Sequence, residues 1–234
     1  NVVDRSPETP WYHGPTLLYH LETVHISSDR NLIDVRFPVQ WVLRPQSNDD
    51  GLHDYRGYAG QVAGGVWRAG DDVLVLPSGL TTRVASVETS DGPIDEATPG
   101  MSVTIRLENE IDVPRGDMLV DPDEQPTTAR SLEATVCWMS ERPLTPGARF
   151  GVKHTTRVVR AVVEGIDGVV DMDTLEYRDA TEMALNDIGT VRLRLSGPLM
   201  VDAYAENRAT GAFILVDEAT NDTVAAGMVR SATP

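Results

Sequence analysis

From Arg36 onward, apolar residues come in short alternating runs, each closed within a few residues by glycine, proline or an acidic side chain. No other feature constrains the fold as much. A helix needs about ten or more uninterrupted residues with apolar positions three and four apart. Runs of roughly four to eight residues at a period of two, separated by turn residues, make the strands of a barrel or sandwich. The first set of runs is Arg36–Val42, Tyr55–Ala63, Asp72–Leu76, Thr81–Glu88, Ser102–Leu107 and Asp117–Val120. Their punctuation includes Ala69-Gly70-Asp71, Pro77-Ser78-Gly79 and Thr98-Pro99-Gly100. The second set is Leu132–Met139, Arg149–Lys153, Thr156–Ile166, Gly189–Leu195, Leu199–Ala203, Gly211–Asp217 and Asp222–Val229. Residues 171–188 read as a loop with one helical turn. The fold class is all-β.

Asp121-Pro122-Asp123-Glu124-Gln125-Pro126 is polar, acidic and proline-bounded, so it reads as a connector between two barrels. The boundary is expected between Asp121 and Thr128. Residues 31–124 then make one β-barrel domain and 125–234 a second. The chain is long enough for two cores.

Ahead of the strands stands one helix. Leu17, Leu18, Leu21 and Val24 fall on one face of a helix over Thr16–Val24, with Pro15 suited to its entry. One short helix cannot bury such a face by itself. Residues 1–30 therefore read as the tail of a preceding domain, with this helix weakly anchored without it. Gln46–Asp54, rich in Ser, Asn, Asp and Gly, reads as a mobile loop tip.

The residue inventory excludes several chemistries. Of the 20 basic residues 19 are arginine, leaving Lys153 as the one lysine. A phosphate-binding loop needs glycine before its lysine and Ser or Thr after it. Lys153 lies in Gly151-Val152-Lys153-His154, so that site is absent from this sequence. Asp54-Tyr55-Arg56-Gly57 fits the Asp-x-x-Gly pattern of GTPases, but with no phosphate loop before it the stretch reads better as a strand entry. Its glycines then allow close backbone approach. A single cysteine, Cys137, forbids an intrachain disulfide and is expected as a small buried core residue. His13, His20, His25, His53 and His154 show no metal-ligand spacing and read as surface or interface residues. Acidic pairs such as Asp49-Asp50 and Asp171-Met172-Asp173 read as solvated loop charge. No signal peptide opens the sequence and no apolar run reaches membrane-spanning length, so the expected location is cytoplasmic. The net charge of −16 opposes nucleic-acid binding. No catalytic, cofactor or metal residue is assigned.

Eight stretches carry a family resemblance in order along the chain. They are Pro10-Trp11-Tyr12-His13-Gly14-Pro15-Thr16-Leu17-Leu18; Arg36-Phe37-Pro38-Val39-Gln40 through Arg44-Pro45; Tyr55-Arg56-Gly57-Tyr58-Ala59-Gly60; and Val75-Leu76-Pro77-Ser78-Gly79. The others are Glu110-Ile111-Asp112 with Arg115-Gly116-Asp117; Val136-Cys137-Trp138-Met139; Asn207-Arg208-Ala209-Thr210-Gly211-Ala212-Phe213-Ile214; and Val224-Ala225-Ala226-Gly227-Met228-Val229. Together they resemble the large, GTPase subunit of bacterial sulfate adenylyltransferase. The match covers the two elongation-factor-Tu-like barrels and the last helix of the GTPase domain.

The resemblance implies two consecutive elongation-factor-like β-barrels preceded by one short helix. It implies a parent enzyme of sulfate assimilation and cysteine biosynthesis that makes adenosine 5′-phosphosulfate and pyrophosphate from ATP and sulfate. GTP and Mg would be held by the GTPase domain and ATP by a small adenylylating subunit. This stretch itself would be inactive, and in some forms an adenylylsulfate kinase follows. The partners implied are that small subunit and the chain's own GTPase domain, with neither nucleic acid nor membrane. The barrels would couple GTP hydrolysis to the small subunit. The alternative is the RNA- or protein-binding barrels of a translational GTPase, which the acidic charge opposes. Tyr, Trp and Arg anchor most protein interfaces. Arg56, Tyr58, Trp67 and Arg68 are therefore the interface candidates, with barrel core the competing reading for Tyr58 and Trp67.

Overall fold

The computed structural model describes residues 1–24, 30–45 and 54–234. Residues 1–30 and 31–234 form separate units. In the first, α1 (Leu17–Thr23) starts at Thr16, whose side chain accepts from the Tyr19 N–H. The Leu17 and Leu18 N–H groups, which have no partner inside the helix, donate to the carbonyls of Asn1 and Val2. The helix buries none of its residues, and the whole Leu17, Leu18, Leu21, Val24 stripe is exposed.

The second unit holds two closed antiparallel sheets. The first is built from β1 (Arg36–Leu43), β2 (Gly57–Gln61), β3 (Trp67–Arg68), β4 (Asp72–Leu76), β5 (Leu80–Thr89), β6 (Gly92–Ile94), β7 (Glu96–Ala97), β8 (Ser102–Leu107) and β9 (Met118–Val120). Its strand order is β4-β9-β1-β2-β8-β5, closed by pairing of β4 with β5; β6 extends β5, and β3 pairs with β7. The second sheet follows the 121–126 connector. It uses β10 (Thr127–Trp138), β11 (Arg149–His154), β12 (Arg157–Val170), β13 (Tyr177–Arg178), β14 (Ile188–Val201), β15 (Ala212–Val216) and β16 (Thr223–Thr233), with α2 (Arg208–Gly211) before β15. Its order is β11-β15-β16-β10-β14-β12, closed by β11 with β12 and extended by β13. Closure leaves no free edge on the six barrel strands of either sheet.

Alternation fills both interiors. In β14, Val191, Leu193 and Leu195 point inward while Arg192 and Arg194 face out. The first core centres on Phe37, Val39, Tyr58, Trp67, Val75 and Ile105, with the Phe37 and Trp67 rings edge-on at 5.9 Å. The second centres on Leu132, Val136, Trp138, Val163, Leu193 and Phe213. Trp138 donates from Nε1 to the Arg142 carbonyl at 2.9 Å.

Several sequence expectations are corrected. Residues 189–195 and 199–201 are parts of one strand, which stops at Val201 short of the expected Ala203. Ser196-Gly197-Pro198 makes a break in register there rather than a turn: Leu199 pairs with Ala129 while Arg194 pairs with Ser131. The run from Gly211 is a strand only from Ala212, because the residues before it form α2. The two-residue strands β3 and β7 are too short for any periodicity to announce. The helical turn expected in 171–188 is absent: Leu175, at φ 61, donates its N–H to the Asp171 carbonyl at 2.7 Å within the hairpin that joins β12 to β13. Cys137 is half-buried on β10, because from Leu132 to Trp138 the even positions of that strand face the core and Cys137 faces away. The loop tip at Gln46–Asp54, apart from Asp54, and the histidines His25 and His53 lie outside the described residues.

Candidate functional site

A buried polar network centred on Arg36 and Asp202 joins the two barrels. Arg36, on β1, grips Asp202 at the end of β14 with two hydrogen bonds of 3.0 Å, from Nε to Oδ2 and from Nη2 to Oδ1. Both side chains are buried. Arg36 also donates to the carbonyls of Val35 and Glu124, so the guanidinium clamps the connector as well. Asp202 takes a further hydrogen bond from Thr210 Oγ at 2.6 Å, and the Thr210 carbonyl accepts from His154 Nε2 at 2.7 Å.

The short helix α2 exists to present Thr210. Asn207 caps it, its Oδ1 accepting from the Ala209 and Thr210 N–H groups, and its Nδ2 donates across to the Ala63 carbonyl of the first barrel. A Cβ on Gly64 would strike Asn207, so glycine there permits the approach. The Asn207-Arg208-Ala209-Thr210-Gly211 motif is thus the second barrel's half of an inter-barrel latch.

Two further contacts reinforce the joint. Arg157 donates to Asp117 at 3.0 Å, and Leu74, Leu76, Met118, Val120 and Met200 pack as one buried cluster. Burial pushes the Asp117 carboxyl up, with Arg157 pulling against it. Burial pushes His154 below the ordinary histidine range, against the opposing pull of the Thr210 carbonyl and Asp202. His154 is therefore a neutral, buried member of the latch, which corrects its reading as a surface or interface residue.

The interface candidates separate. Trp67 is 0% exposed and Tyr58 1%, so both are core and their side chains are unavailable to a partner. The Tyr58 hydroxyl donates to the Ile111 carbonyl, which also accepts from Arg56 Nη1 at 2.8 Å. Arg56 is mostly covered and pins the 111–112 turn to the barrel. Arg68 is exposed and paired with Glu96 at 2.7 Å. It lines a cleft of about 710 Å³ with Asp71, Asp72, Arg83, Glu108 and Asp123, where Arg83 is paired with Asp72. The sequence expectation of close backbone approach holds at Gly57 and Gly60, where a Cβ would strike Thr104 and the Pro38 carbonyl.

The exposed aromatic of this barrel is instead Trp41, at 63%. Strict alternation from Phe37 and Val39 would turn Trp41 inward. A β-bulge intervenes: Val39 pairs with Gly60 and Trp41 with Ala59, so Gln40 is the extra residue and Trp41 is turned out. Alternation alone could not reveal it.

Lys153 is exposed on β11, paired on both sides within the sheet, so its setting does not fit a phosphate cradle. Among the described residues no group of three or more His, Cys, Asp or Glu converges to hold a metal, and no helix is long and apolar enough to cross a membrane.

Residues 131–230 match the family model described as GTP-eEF1A C-terminal domain-like. A bifunctional enzyme CysN/CysC of Mycobacterium tuberculosis is 52% identical over 98% of this chain, which spans 37% of that protein. Sulfate adenylyltransferase subunit 1 of Bacteroides fragilis is 47% identical over 98% of the chain and 47% of its own length. The chain belongs to the sulfate adenylyltransferase subunit 1 family. It spans between about a third and a half of the curated relatives it matches. The subunit 1 of Teredinibacter turnerae is 48% identical over 99% of the chain. A crystal structure of sup35 complexed with GDP superposes over the whole chain and 56% of its own, with a TM-score of 0.76 at 20% identity, a likeness of fold.

Proposed function

We propose that this chain is the non-catalytic two-barrel region of a sulfate adenylyltransferase subunit 1. It joins GTP hydrolysis elsewhere in that subunit to adenosine 5′-phosphosulfate synthesis on a companion subunit. The observation that carries this reading is the identity of 47–52% over 98% of the chain to such proteins. The latch gives it a mechanism. A relay between two sites needs an element that moves as a body, so that displacement at one end is not absorbed in between. The Arg36–Asp202–Thr210 network and the cluster around Met118 make the two barrels such a body.

In this reading GTP and Mg bind outside residues 31–234, ATP binds the companion, and the exposed stripe of α1 packs on the remainder of subunit 1. No step of the chemistry is assigned to a residue of this chain. The test is reconstitution of the full-length subunit with its companion, following adenosine 5′-phosphosulfate formation with and without GTP. GTP-stimulated synthesis supports the reading. Absence of stimulation, with saturable transfer RNA binding at low salt, would replace it with the translational alternative.

A further inference from the structure

Four strands of the first barrel place one residue each in a row across its outer face. Trp41 on β1 pairs with Ala59 on β2, Ala59 with Thr104 on β8, and Thr104 with Glu88 on β5. The two middle residues are small and the two outer ones large, so the row is a slot with a low floor. Gly60, Ser102 and Val103 extend the floor, and Thr89 and Ser90 raise the far wall, enclosing about 390 Å³. Three interstrand steps of ~4.8 Å separate the walls, which leaves room between the side chains for one extended polypeptide.

The two walls differ chemically. Glu88 is committed within the protein: it accepts from the Tyr55 hydroxyl at 2.9 Å and the Ser86 hydroxyl at 2.6 Å, and Arg106 lies 3.8 Å away. Burial and Glu88 together push the Tyr55 hydroxyl up to about 12, so it stays protonated and donates to Glu88. The other wall is open. Trp41 shows its ring to solvent because of the bulge at Gln40. Arg115 braces that bulge, donating from Nη1 to the Gln40 carbonyl at 3.1 Å, and among the described residues no carboxylate lies within ion-pair reach of it. In a chain carrying −16, an exposed arginine with no acid partner among the described residues, beside an exposed tryptophan, is a local reversal of the surface character.

We infer that the Trp41–Arg115 slot is the docking site for an extended acidic segment of the companion subunit, an apolar side chain packing on Trp41 and a carboxylate pairing with Arg115. This rests on the subunit 1 reading above. Charge complementarity selects the occupant. Among the described residues Arg115 has no carboxylate partner, which a bidentate acid would supply, and tryptophan and arginine are both enriched among interface anchors. A bulge that re-aims one large aromatic outward, braced by the same arginine, holds that anchor before binding, which lowers the ordering cost.

The test measures affinity of the full-length subunit for the purified companion subunit by titration calorimetry, for wild type, Trp41→Ala, Arg115→Glu and Arg115→Lys. Trp41 and Arg115 are exposed, so all four proteins should fold, and melting temperatures measured alongside separate any loss of the Arg115 brace on the Gln40 carbonyl from loss of binding. The inference expects Trp41→Ala and Arg115→Glu each to raise Kd at least tenfold and Arg115→Lys to raise it less. Wild-type binding with all three variants unchanged overturns the slot and leaves the subunit 1 reading standing. No wild-type binding overturns that reading and the slot with it. A concentration-dependent dimer of the subunit alone, abolished by Trp41→Ala, would reassign the slot to a second copy.

Discussion

Arg36 and Asp202 lie 166 residues apart in sequence and form a buried, two-bonded ion pair between the barrels. Removing one member of such a pair strands the other charge. Arg36→Met should therefore destabilise the protein by about 3–5 kcal/mol. Because Arg36 also holds the Glu124 carbonyl, proteolysis of the variant should cut first within residues 121–126. Urea unfolding and a timed digest check the two effects.

Trp41 and Trp67 should respond in opposite ways. Trp67 is fully buried against Phe37, so Trp67→Ala should cost about 3–5 kcal/mol. Trp41 is mostly exposed, and Trp41→Ala should stay within about 0.5 kcal/mol of wild type. Thermal melts of the two variants side by side decide. Equal losses would place Trp41 in the core.

His154 sets a pH dependence. Its folded-state pKa is depressed by burial, so the unfolded chain binds the proton more readily. Stability from this group is fully present above the unfolded value of about 6.5 and falls as pH drops below it. Arg36, Asp202 and Thr210 face the same pocket, and the Asp202 carboxylate only partly offsets the effect. Wild type should lose more melting temperature between pH 7.5 and pH 5.5 than His154→Gln does. An equal loss would mean His154 titrates normally.

The strands were legible because their cause is local. Arg192-Leu193-Arg194-Leu195 alternates, and β14 follows it. The family stretches were legible as well, yet what they do was not. Asn207-Arg208-Ala209-Thr210-Gly211 builds a latch only because Arg36 and Ala63 arrive from the other barrel. Trp41 was hidden by one inserted residue, Gln40, which shifts the alternation and sends an aromatic outward. Tyr58 and Trp67 invite an interface reading beside arginines and glycines, but a closed barrel needs large side chains to fill it, and these two supply them. His154 looks like any histidine until the Thr210 carbonyl, 56 residues away, is placed on its ring.

The proposed coupling requires the two barrels to act as one body. Its most direct test is GTP stimulation of adenosine 5′-phosphosulfate synthesis by full-length subunit carrying Arg36→Met, reconstituted with its companion well below the variant's melting temperature. Companion binding and GTP hydrolysis by the subunit should persist, while stimulation falls at least tenfold. Full stimulation in a variant whose 121–126 connector has become open to protease would contradict the claim that the latch carries the coupling.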